Sequence, residues 1–337
     1  MADGKQAALR AQNRGMLDSE SLGLLLQAVK KLDAEFAGLP EFSSLLPRTD
    51  HLVEVLTATA ERLQDNYPYF HPLYAGQMLK PPHPVARMAY ALAMWINPNN
   101  HALDGGRATS GMEKEAVAEI AGMFGWTDFL GHLCGGGTMA NLEALWVAGQ
   151  LHPGKKILAS EQAHYTHGRI SGVLQLAFES VPADALGRMD LSALAKQLER
   201  GDVGTVVVTM GTTATGSVDP LPRILSLREK HGFRIHADAA YGGYFVLTEN
   251  LGAEAKHAFA QVGEADSIVI DPHKHGLQPY GADAFCFVTL VLAGSIGTIR
   301  HTRISVRRSC IWVKLVWNVR DPAPRLPLFG RRRSCCL

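Results

Sequence analysis

Apolar residues recur at two different spacings along this chain of 337 residues. In the first part they follow the three-to-four-residue spacing of helices that bury one face. This spacing predicts helices in residues 18–38, 48–66, 85–98 and 110–126, and Thr49 or Asp50 is a suitable N-cap for the second of them. We therefore expect an N-terminal helical segment and connector over residues 1–80.

After about residue 130, short apolar runs of strand length replace the helical pattern. These runs predict strands at residues 155–160, 205–210, 233–238 and 266–271, and helical patterns occupy residues 190–201 and 221–232 between some of them. Strands that alternate with helices are typical of a mostly parallel sheet covered by helices on both faces. The pattern therefore predicts an α/β domain, with bounds at residues 81–285.

Two residues with reactive side chains follow the ends of predicted strands. Asp238 ends the run at 233–238, and Lys274 comes shortly after the run at 266–271, in the stretch SIVIDPHKHGLQPYG. Right-handed crossovers place the carboxyl ends of parallel strands on one edge, where such sheets bind ligands. We therefore expect Asp238 and Lys274 to meet at this edge, although they are 36 positions apart.

A glycine-rich turn in HLCGGGTMANLEAL precedes a predicted helix. The backbone N–H groups of Gly136, Gly137 and Thr138 would lie at the positive end of that helix, where they could bind a phosphate. Glycine runs before helices are also common as tight turns that bind nothing. The turn alone therefore leaves both interpretations open.

A histidine follows another predicted strand, in ASEQAHYTHGRI. His164 is either a helix-start or core histidine or, together with His167, half of a metal site. No carboxylate or cysteine at a recognisable spacing supports metal binding, so we expect no metal.

The segments TMGTTATGSVDP and HADAAYGGYF follow two further strands. Thr212 and Thr213 form a hydroxyl-rich turn, which is most often ordinary loop chemistry. Asp238 leaves an apolar strand and is followed only by small residues. It is either a capping residue or the partner of a flat group that lies over Ala240.

Taken together, these segments describe a receptacle for a planar, phosphorylated, cationic heterocycle that carries an aldehyde. The glycine turn would bind the phosphate, Asp238 the ring nitrogen and Lys274 the aldehyde carbon, while His164 stacks on one ring face and Ala240 packs on the other. Pyridoxal 5'-phosphate has all of these features. It is therefore the cofactor that the residues predict.

The sequence also resembles the group II pyridoxal-phosphate-dependent amino-acid decarboxylases of the fold-type-I class. The resemblance rests on GGGTMAN, QAH, GTTATGSVDP, HADAAYGGYF and DPHK, which occur in the family's order over roughly residues 85–285. It implies a fold-type-I large domain, decarboxylation of an L-amino acid, and a homodimer. Lys274 would then be the internal aldimine lysine, and Asp219 a structural acid.

The resemblance also implies a set of site residues. The implied catalytic residues are Lys274, His164 and Asp238. The implied cofactor-binding residues are Gly136, Gly137, Thr138, His164, Thr213, Asp238, Ala240, His273 and Lys274, with His273 contacting the phosphate. The stretch 71–84 either lines the entrance, as the equivalent stretch does in the family, or is a proline-rich connector.

The composition of the chain indicates where in the cell the protein is expected. The chain is 47% hydrophobic and 19% charged, with no run long enough to span a bilayer and no apolar signal sequence at its start. Its five cysteines form no recognisable framework. We therefore expect a cytoplasmic protein with no membrane partner.

Residues 286–337 differ in kind from the rest of the chain. They hold nine arginines and Lys314 against the single acid Asp321, although the net charge of the whole chain is only +1. The resemblance stops after GADAFCF, before the small C-terminal domain that the family carries. We expect a frameshifted reading of the family's coding sequence, which would leave activity doubtful. The alternative is a basic arm that binds nucleic acid, although a nucleic acid partner is not expected.

Two alternative functions remain open. HKHGLQPYG is also similar to a stretch of sphingosine-phosphate lyases, which break a carbon–carbon bond, but Tyr280 stands where those lyases carry lysine. The other alternative is a non-catalytic protein with a basic interaction tail. The sequence does not identify which amino acid would be the substrate.

Overall fold

The computed structural model describes residues 19–40, 49–69, 71, 73–100, 105–281 and 283–287. The predictions for the basic tail therefore lie outside the described residues, except for the first residues of 286–337. None of the described helices is long and apolar enough to cross a bilayer.

Four helices form the N-terminal part and confirm the helical pattern. They are α1 (Ser19–Phe36), α2 (Thr49–Leu63), α3 (Pro84–Ile96) and α4 (Arg107–Met123). Helix α3 begins at a proline, and the His83 ring accepts a hydrogen bond from Val85 N–H. It ends at Asn97, whose left-handed backbone stops the helix.

The remaining elements alternate between strands and helices, as predicted. They are β1 (Leu130–Cys134), α5 (Gly137–Leu151), β2 (Lys156–Ser160), α6 (Thr166–Val173), β3 (Phe178–Val181), α7 (Leu191–Leu198), β4 (Val203–Thr209), α8 (Leu221–His231), β5 (Arg234–Asp238), α9 (Ala253–Ala260), β6 (Ser267–Ile270) and β7 (Asp283–Phe287). Short 3₁₀ turns occupy Gly243–Leu247 and Val262–Glu264.

The seven strands form one mixed sheet in the order β1-β7-β6-β5-β4-β2-β3. Strands β6, β5, β4, β2 and β3 run parallel to one another, whereas β7 pairs antiparallel with both β1 and β6. The parallel pairing places Thr209 beside Asp238 at the ends of β4 and β5. A mostly parallel α/β sheet, as expected, therefore carries Asp238 at its carboxyl edge.

Strands β1, β3 and β7 have no counterpart among the predicted strands. Strand β1 has the sequence LGHLC, in which glycine and histidine interrupt the apolar run. Strand β3 has only four residues, FESV, and lies at the sheet edge. These segments lack the long β-branched runs that identify β4 and β6, so their partners in the sheet define them instead.

A buried acid ties the strand edges to the neighbouring loops. Asp219 is fully buried, and its carboxylate accepts hydrogen bonds from the backbone N–H groups of Met189 (2.7 Å) and Thr209 (2.8 Å). These bonds connect the end of β4 to the loop before α7. Asp219 therefore acts on structure, as the resemblance implied.

Candidate active site

A cavity of about 420 Å³ opens at the carboxyl edge of the sheet. It lies where β4, β5 and β6 end and where α5 begins. Every residue that the sequence predicted as a cofactor contact lines it: Gly136, Gly137, Thr138, His164, Thr213, Asp238, Ala240, His273 and Lys274. The structure therefore brings the predicted residues together.

The glycine turn before α5 has a backbone that other residues would not adopt easily. Gly136 has φ of 147°, which lies in the region that favours glycine. A Cβ on Gly137 would stand 2.6 Å from the Asp271 Oδ1 atom, so a side chain there would displace that carboxylate. The first N–H groups of a helix have no partner within the helix, so this turn offers donors to an anion in the cavity.

Asp238 is a buried acid that the surrounding hydrogen bonds keep ionised. Its Oδ2 atom accepts a hydrogen bond from His167 Nε2 at 2.8 Å, and its Oδ1 atom accepts one from Ala240 N–H at 3.1 Å. Burial alone would raise the pKa of Asp238, but the hydrogen bonds from His167 and from Ala240 N–H outweigh burial and hold the pKa well below its usual value. The cavity therefore contains a fixed anion.

A second imidazole lies behind the Asp238 site. His236 is buried, its Nδ1 atom lies 2.8 Å from Ser267 Oγ, and its Nε2 atom lies 2.8 Å from Asn141 Oδ1. Burial lowers the pKa of His236 to about 3, so the ring is neutral near pH 7. It therefore supports the wall of the cavity without adding a charge.

Lys274 lies on the β6 side of the same cavity, four positions after that strand ends. Its Nζ atom is 2.8 Å from Asp271 Oδ2, and the Asp271 side chain is almost fully buried. The lysine is itself largely buried, so its amine is held in one place rather than solvated on the surface. The amine and the Asp238 carboxylate thus both face one space, as the strand order led us to expect.

His164 and His273 contribute aromatic rings to the cavity wall. The His164 Nδ1 atom lies 2.8 Å from Thr166 Oγ1 at the start of α6. Burial lowers the pKa of His164 despite the nearby Asp238 carboxylate, so the ring is neutral near pH 7. His273 is buried, and its ring centroid lies 5.1 Å from that of Tyr280, which also lines the cavity.

The two threonines of the hydroxyl-rich turn differ: Thr212 contacts the turn itself, and Thr213 lines the cavity. Thr212 is buried, and its Oγ1 atom lies 2.7 Å from Thr215 Oγ1 within the turn. Thr213 is exposed toward the cavity. Thr209 also lines the cavity, and its buried Oγ1 atom has no hydrogen-bond partner among the described residues. This hydroxyl is available to a bound group.

Ala240 also lines the cavity. It packs against a small apolar cluster formed by Cys134, Ala140, Ala144 and Val269. An alanine here fills the wall without projecting into the space. It therefore leaves room for a flat ring, as the sequence suggested.

Two important contacts of the site were not predicted from the sequence. His167 was considered only with His164 as a metal pair, but the two imidazoles have separate partners, Asp238 and Thr166. Asp271, three positions before Lys274, was not assigned the ion pair that it forms.

No cluster of three or more metal-ligating side chains occurs in the described parts of the chain. Residues 77–79, within the stretch 71–84, also line the cavity.

A family model decides the assignment of the chain. The model described as "Pyridoxal-dependent decarboxylase conserved domain" matches residues 66–288, about two thirds of the chain. The chain belongs to the pyridoxal-dependent decarboxylase family. Membership implies pyridoxal 5'-phosphate as the cofactor, and the predicted domain bounds at residues 80 and 285 stay predictions.

Individual relatives agree with this family. The chain is 30% identical to an L-tyrosine decarboxylase of Enterococcus faecium, over 70% of this chain and 55% of that protein. It is 32% identical to a probable L-aspartate decarboxylase of Haloarcula marismortui, over 60% of this chain and 55% of that protein. The chain thus spans a little over half the length of these two relatives.

Solved structures show the same fold at lower identity. A crystal structure of mouse CSAD in apo form superposes with a TM-score of 0.70 at 21% identity, covering 88% of this chain and 72% of that one. A glutamate decarboxylase domain from Vibrio parahaemolyticus gives 0.69, again at 21% identity, covering 88% of this chain and 70% of that one. These likenesses establish the fold-type-I arrangement of the pyridoxal-dependent decarboxylases.

The described cavity fits the family cofactor. A buried anion, a buried amine, an unpaired Thr209 hydroxyl and a glycine turn with free N–H groups all face one space. They complement, in turn, a protonated ring nitrogen, an aldehyde, a polar substituent and a phosphate. The groups that line this cavity therefore match the functional groups of pyridoxal phosphate.

Proposed function

We propose that this chain binds pyridoxal 5'-phosphate and decarboxylates an L-amino acid. One observation carries the proposal: an ionised Asp238 and the buried amine of Lys274 line the same cavity from neighbouring strands β5 and β6. A ring held between them would have its nitrogen and its aldehyde carbon on opposite sides. The described residues alone supply both contacts.

Each side chain has a distinct task in this proposal. Bound pyridoxal phosphate supplies an electron sink for the pair released when the bond from Cα to the carboxylate breaks. Asp238 keeps the ring nitrogen protonated by accepting its hydrogen bond. The turn at Gly136, Gly137 and Thr138 anchors the phosphate, together with His273, and the neutral ring of His164 covers one face of the cofactor.

Lys274 has to leave Asp271 before it can bond to an aldehyde. Its Nζ atom lies 2.8 Å from Asp271 Oδ2, so the amine is directed at that carboxylate and would have to turn from it to contact a group in the cavity. We therefore assign Asp271 the role of holding the amine in position until the cofactor arrives.

The N-terminal helices support a second part of the proposal, a homodimer. Helix α2 has no buried residue, and Val53 and Leu56 are 60% and 67% exposed. Exposed apolar side chains that lie next to each other on a helix in this way mark an interaction site. We propose that a second copy of this chain covers this surface.

Reductive trapping tests the cofactor assignment directly. The protein is mixed with pyridoxal phosphate, reduced with borohydride, digested and analysed by mass spectrometry. We expect a pyridoxyl group on Lys274, and no such group at this position in Lys274→Arg. Modification spread evenly over surface lysines, with no preference for Lys274, would contradict the proposal.

Product analysis separates decarboxylation from the carbon–carbon lyase alternative. L-tyrosine and L-aspartate are suitable first substrates because the relatives are named for them. We expect release of carbon dioxide and the corresponding amine, with no aldehyde. Aldehyde release from a phosphorylated amino alcohol, without carbon dioxide from any amino acid, would favour the lyase instead.

A further inference from the structure

Asp238 is hydrogen-bonded to the buried imidazole of His167, a residue to which the sequence motifs assign no role. We propose that His167 is a positioning residue for the cofactor: its Nε2–H group fixes the Asp238 carboxylate so that the buried pair presents one negative charge to the ring nitrogen. This inference rests on the proposed function, because it concerns the same cavity.

The hydrogen bond between the two residues is short and shielded from water. The His167 Nε2 atom lies 2.8 Å from Asp238 Oδ2, and the two side chains are only 1% and 5% exposed. A carboxylate can only accept at this position, so the proton lies on Nε2. The bond to a charged acceptor in this dry environment is therefore one of the stronger contacts in the site.

The other ring nitrogen indicates that His167 is neutral. Its Nδ1 atom is buried and has no hydrogen-bond partner among the described residues. A doubly protonated ring would bury an N–H group without an acceptor, which costs free energy. With a neutral ring the pair keeps the full negative charge of Asp238, which a positively charged ring nitrogen can neutralise.

The groups around the pair do not replace this donor. His236, whose ring centroid lies 6.4 Å from that of His167, has its two nitrogens next to Asn141 and Ser267. The Ala240 N–H group holds the other carboxylate oxygen at 3.1 Å. Among the titratable groups that line the cavity with Asp238 are His164, His273, Lys274 and Asp271. His167 is thus the side-chain donor on Oδ2 in the described site.

Two donors on two oxygens prevent the carboxylate from rotating. With His167 on Oδ2 and Ala240 on Oδ1, the remaining lone pairs of Asp238 are those available to a ligand in the cavity. Removal of the His167 donor would free the carboxylate to rotate or to bind a proton. Either change weakens its contact with the ring nitrogen and leaves the phosphate turn untouched.

The test measures binding of pyridoxamine 5'-phosphate, which has no aldehyde and cannot bond covalently to Lys274. His167→Phe removes the donor at similar volume, and His167→Gln restores an N–H group at similar reach. We expect the dissociation constant to rise about 10- to 100-fold in His167→Phe, the effect of losing a hydrogen bond to a charged group. In His167→Gln we expect a change within about threefold.

A ring analogue distinguishes positioning from a general packing defect. The 1-deaza form of the same probe carries CH in place of the ring nitrogen, so it cannot use the Asp238 charge. Wild type and His167→Phe should bind this analogue equally well. A merely structural role would weaken both probes by the same factor and would overturn the inference.

A spectroscopic signal reports the proton itself. The ¹⁵N chemical shift of the labelled ring nitrogen should show a protonated nitrogen in wild type and His167→Gln, and an unprotonated one in His167→Phe. Should His167→Phe lack a cooperative thermal transition, His167→Met replaces it. If wild type and His167→Phe (or His167→Met) bind the probe equally well and show the same ¹⁵N shift, this inference is wrong and the proposed function stands. If wild type does not bind pyridoxamine phosphate at all, the proposed function is wrong and this inference falls with it.

Discussion

The strands around the cavity and helix α2 bury their apolar side chains very differently. Strand β6 is buried at all four positions, and β4 at all but its first residue. Helix α2, in contrast, has no buried residue at all. The described cavity is therefore lined largely by residues at the end of the sheet, whereas α2 exposes apolar side chains that another surface can cover.

The difference separates two kinds of function. Residues at the carboxyl edge of the sheet are held by packing and by hydrogen bonds within the chain, so we expect cofactor binding to depend on them directly. The exposed helices are expected to affect assembly, and cofactor contacts only through assembly. Substitutions in the two regions should consequently have separable effects.

The largest expected effect comes from Asp238→Ala, which removes the buried anion. We expect decarboxylation to fall by about 10²- to 10³-fold, the range for loss of one preorganised electrostatic group. Asp190→Ala is the matched control, because that acid caps α7 by accepting from Ala193 N–H and its loss costs only about 1 kcal/mol of stability. Rate assays under saturating cofactor decide the outcome, and equal rates in Asp238→Ala and Asp190→Ala would contradict the account.

The next effect is on assembly. The double substitution Val53→Ser and Leu56→Ser removes two exposed apolar side chains from α2. Loss of their burial should weaken a homodimer by about 3 kcal/mol or more, which is about 100-fold in the dissociation constant. Sedimentation velocity over a range of concentrations measures this change. Leu186→Ser, on an exposed loop of the sheet domain, should leave the association unchanged.

Sedimentation can also contradict the proposal that a second copy of the chain covers α2. A wild-type chain that stays monomeric at all concentrations would show that a second copy does not cover α2. A dimer that is weakened equally by Leu186→Ser would place the interface elsewhere.

A smaller effect is expected at the glycine turn. Gly137→Ala places a Cβ within 3 Å of the Asp271 carboxylate and would displace it. We expect cofactor affinity to fall about 10- to 100-fold through disturbed contacts to the charged phosphate. Gly122→Ala in α4 is the control, since nothing lies within 4 Å of its added methyl group. It should stabilise the fold slightly, and fluorescence titration with pyridoxal phosphate should give an unchanged affinity.

The smallest effect concerns the buried acid below the cavity. Burial raises the pKa of Asp219 to about 6 despite the hydrogen bonds from Thr209 and Met189. A raised pKa in the folded state means that its contribution to stability is fully present below the unfolded pKa, near 4, and declines as pH rises to about 6. Between pH 4.5 and 7 we expect the stability of wild type relative to Asp219→Asn to fall by about 2 kcal/mol.

Urea unfolding at a series of pH values measures this difference. The reference variant Asp219→Asn cannot titrate, so contributions from other groups cancel. A stability difference that rises with pH over the same interval would show that the carboxylate is stabilised in its charged form instead.

The sequence predicted the sheet where local pattern and burial agree. The predicted strands at 233–238 and 266–271 are observed as β5 and β6, which are buried at every position except the first of β5. Strands β1 and β7 could not be predicted in the same way. They meet only through antiparallel pairing between residues about 150 positions apart, which no local pattern encodes.

The candidate site shows a similar division. Residues in recognisable motifs, such as Gly137 and Lys274, were identified from order and composition. His167 was not, because its bond to Asp238 joins positions 71 apart and depends on how α6 packs on β5. The ion pair between Asp271 and Lys274 is local, and the stretch DPHK contained the signal for it.

A crystal structure of the protein with pyridoxal phosphate tests the central claim most directly. The account predicts the ring nitrogen within about 3 Å of an Asp238 carboxylate oxygen, and the Lys274 nitrogen bonded to the aldehyde carbon and no longer paired with Asp271. A ring bound with its nitrogen away from Asp238, or with Lys274 still paired to Asp271 and no bond to the cofactor, would contradict it.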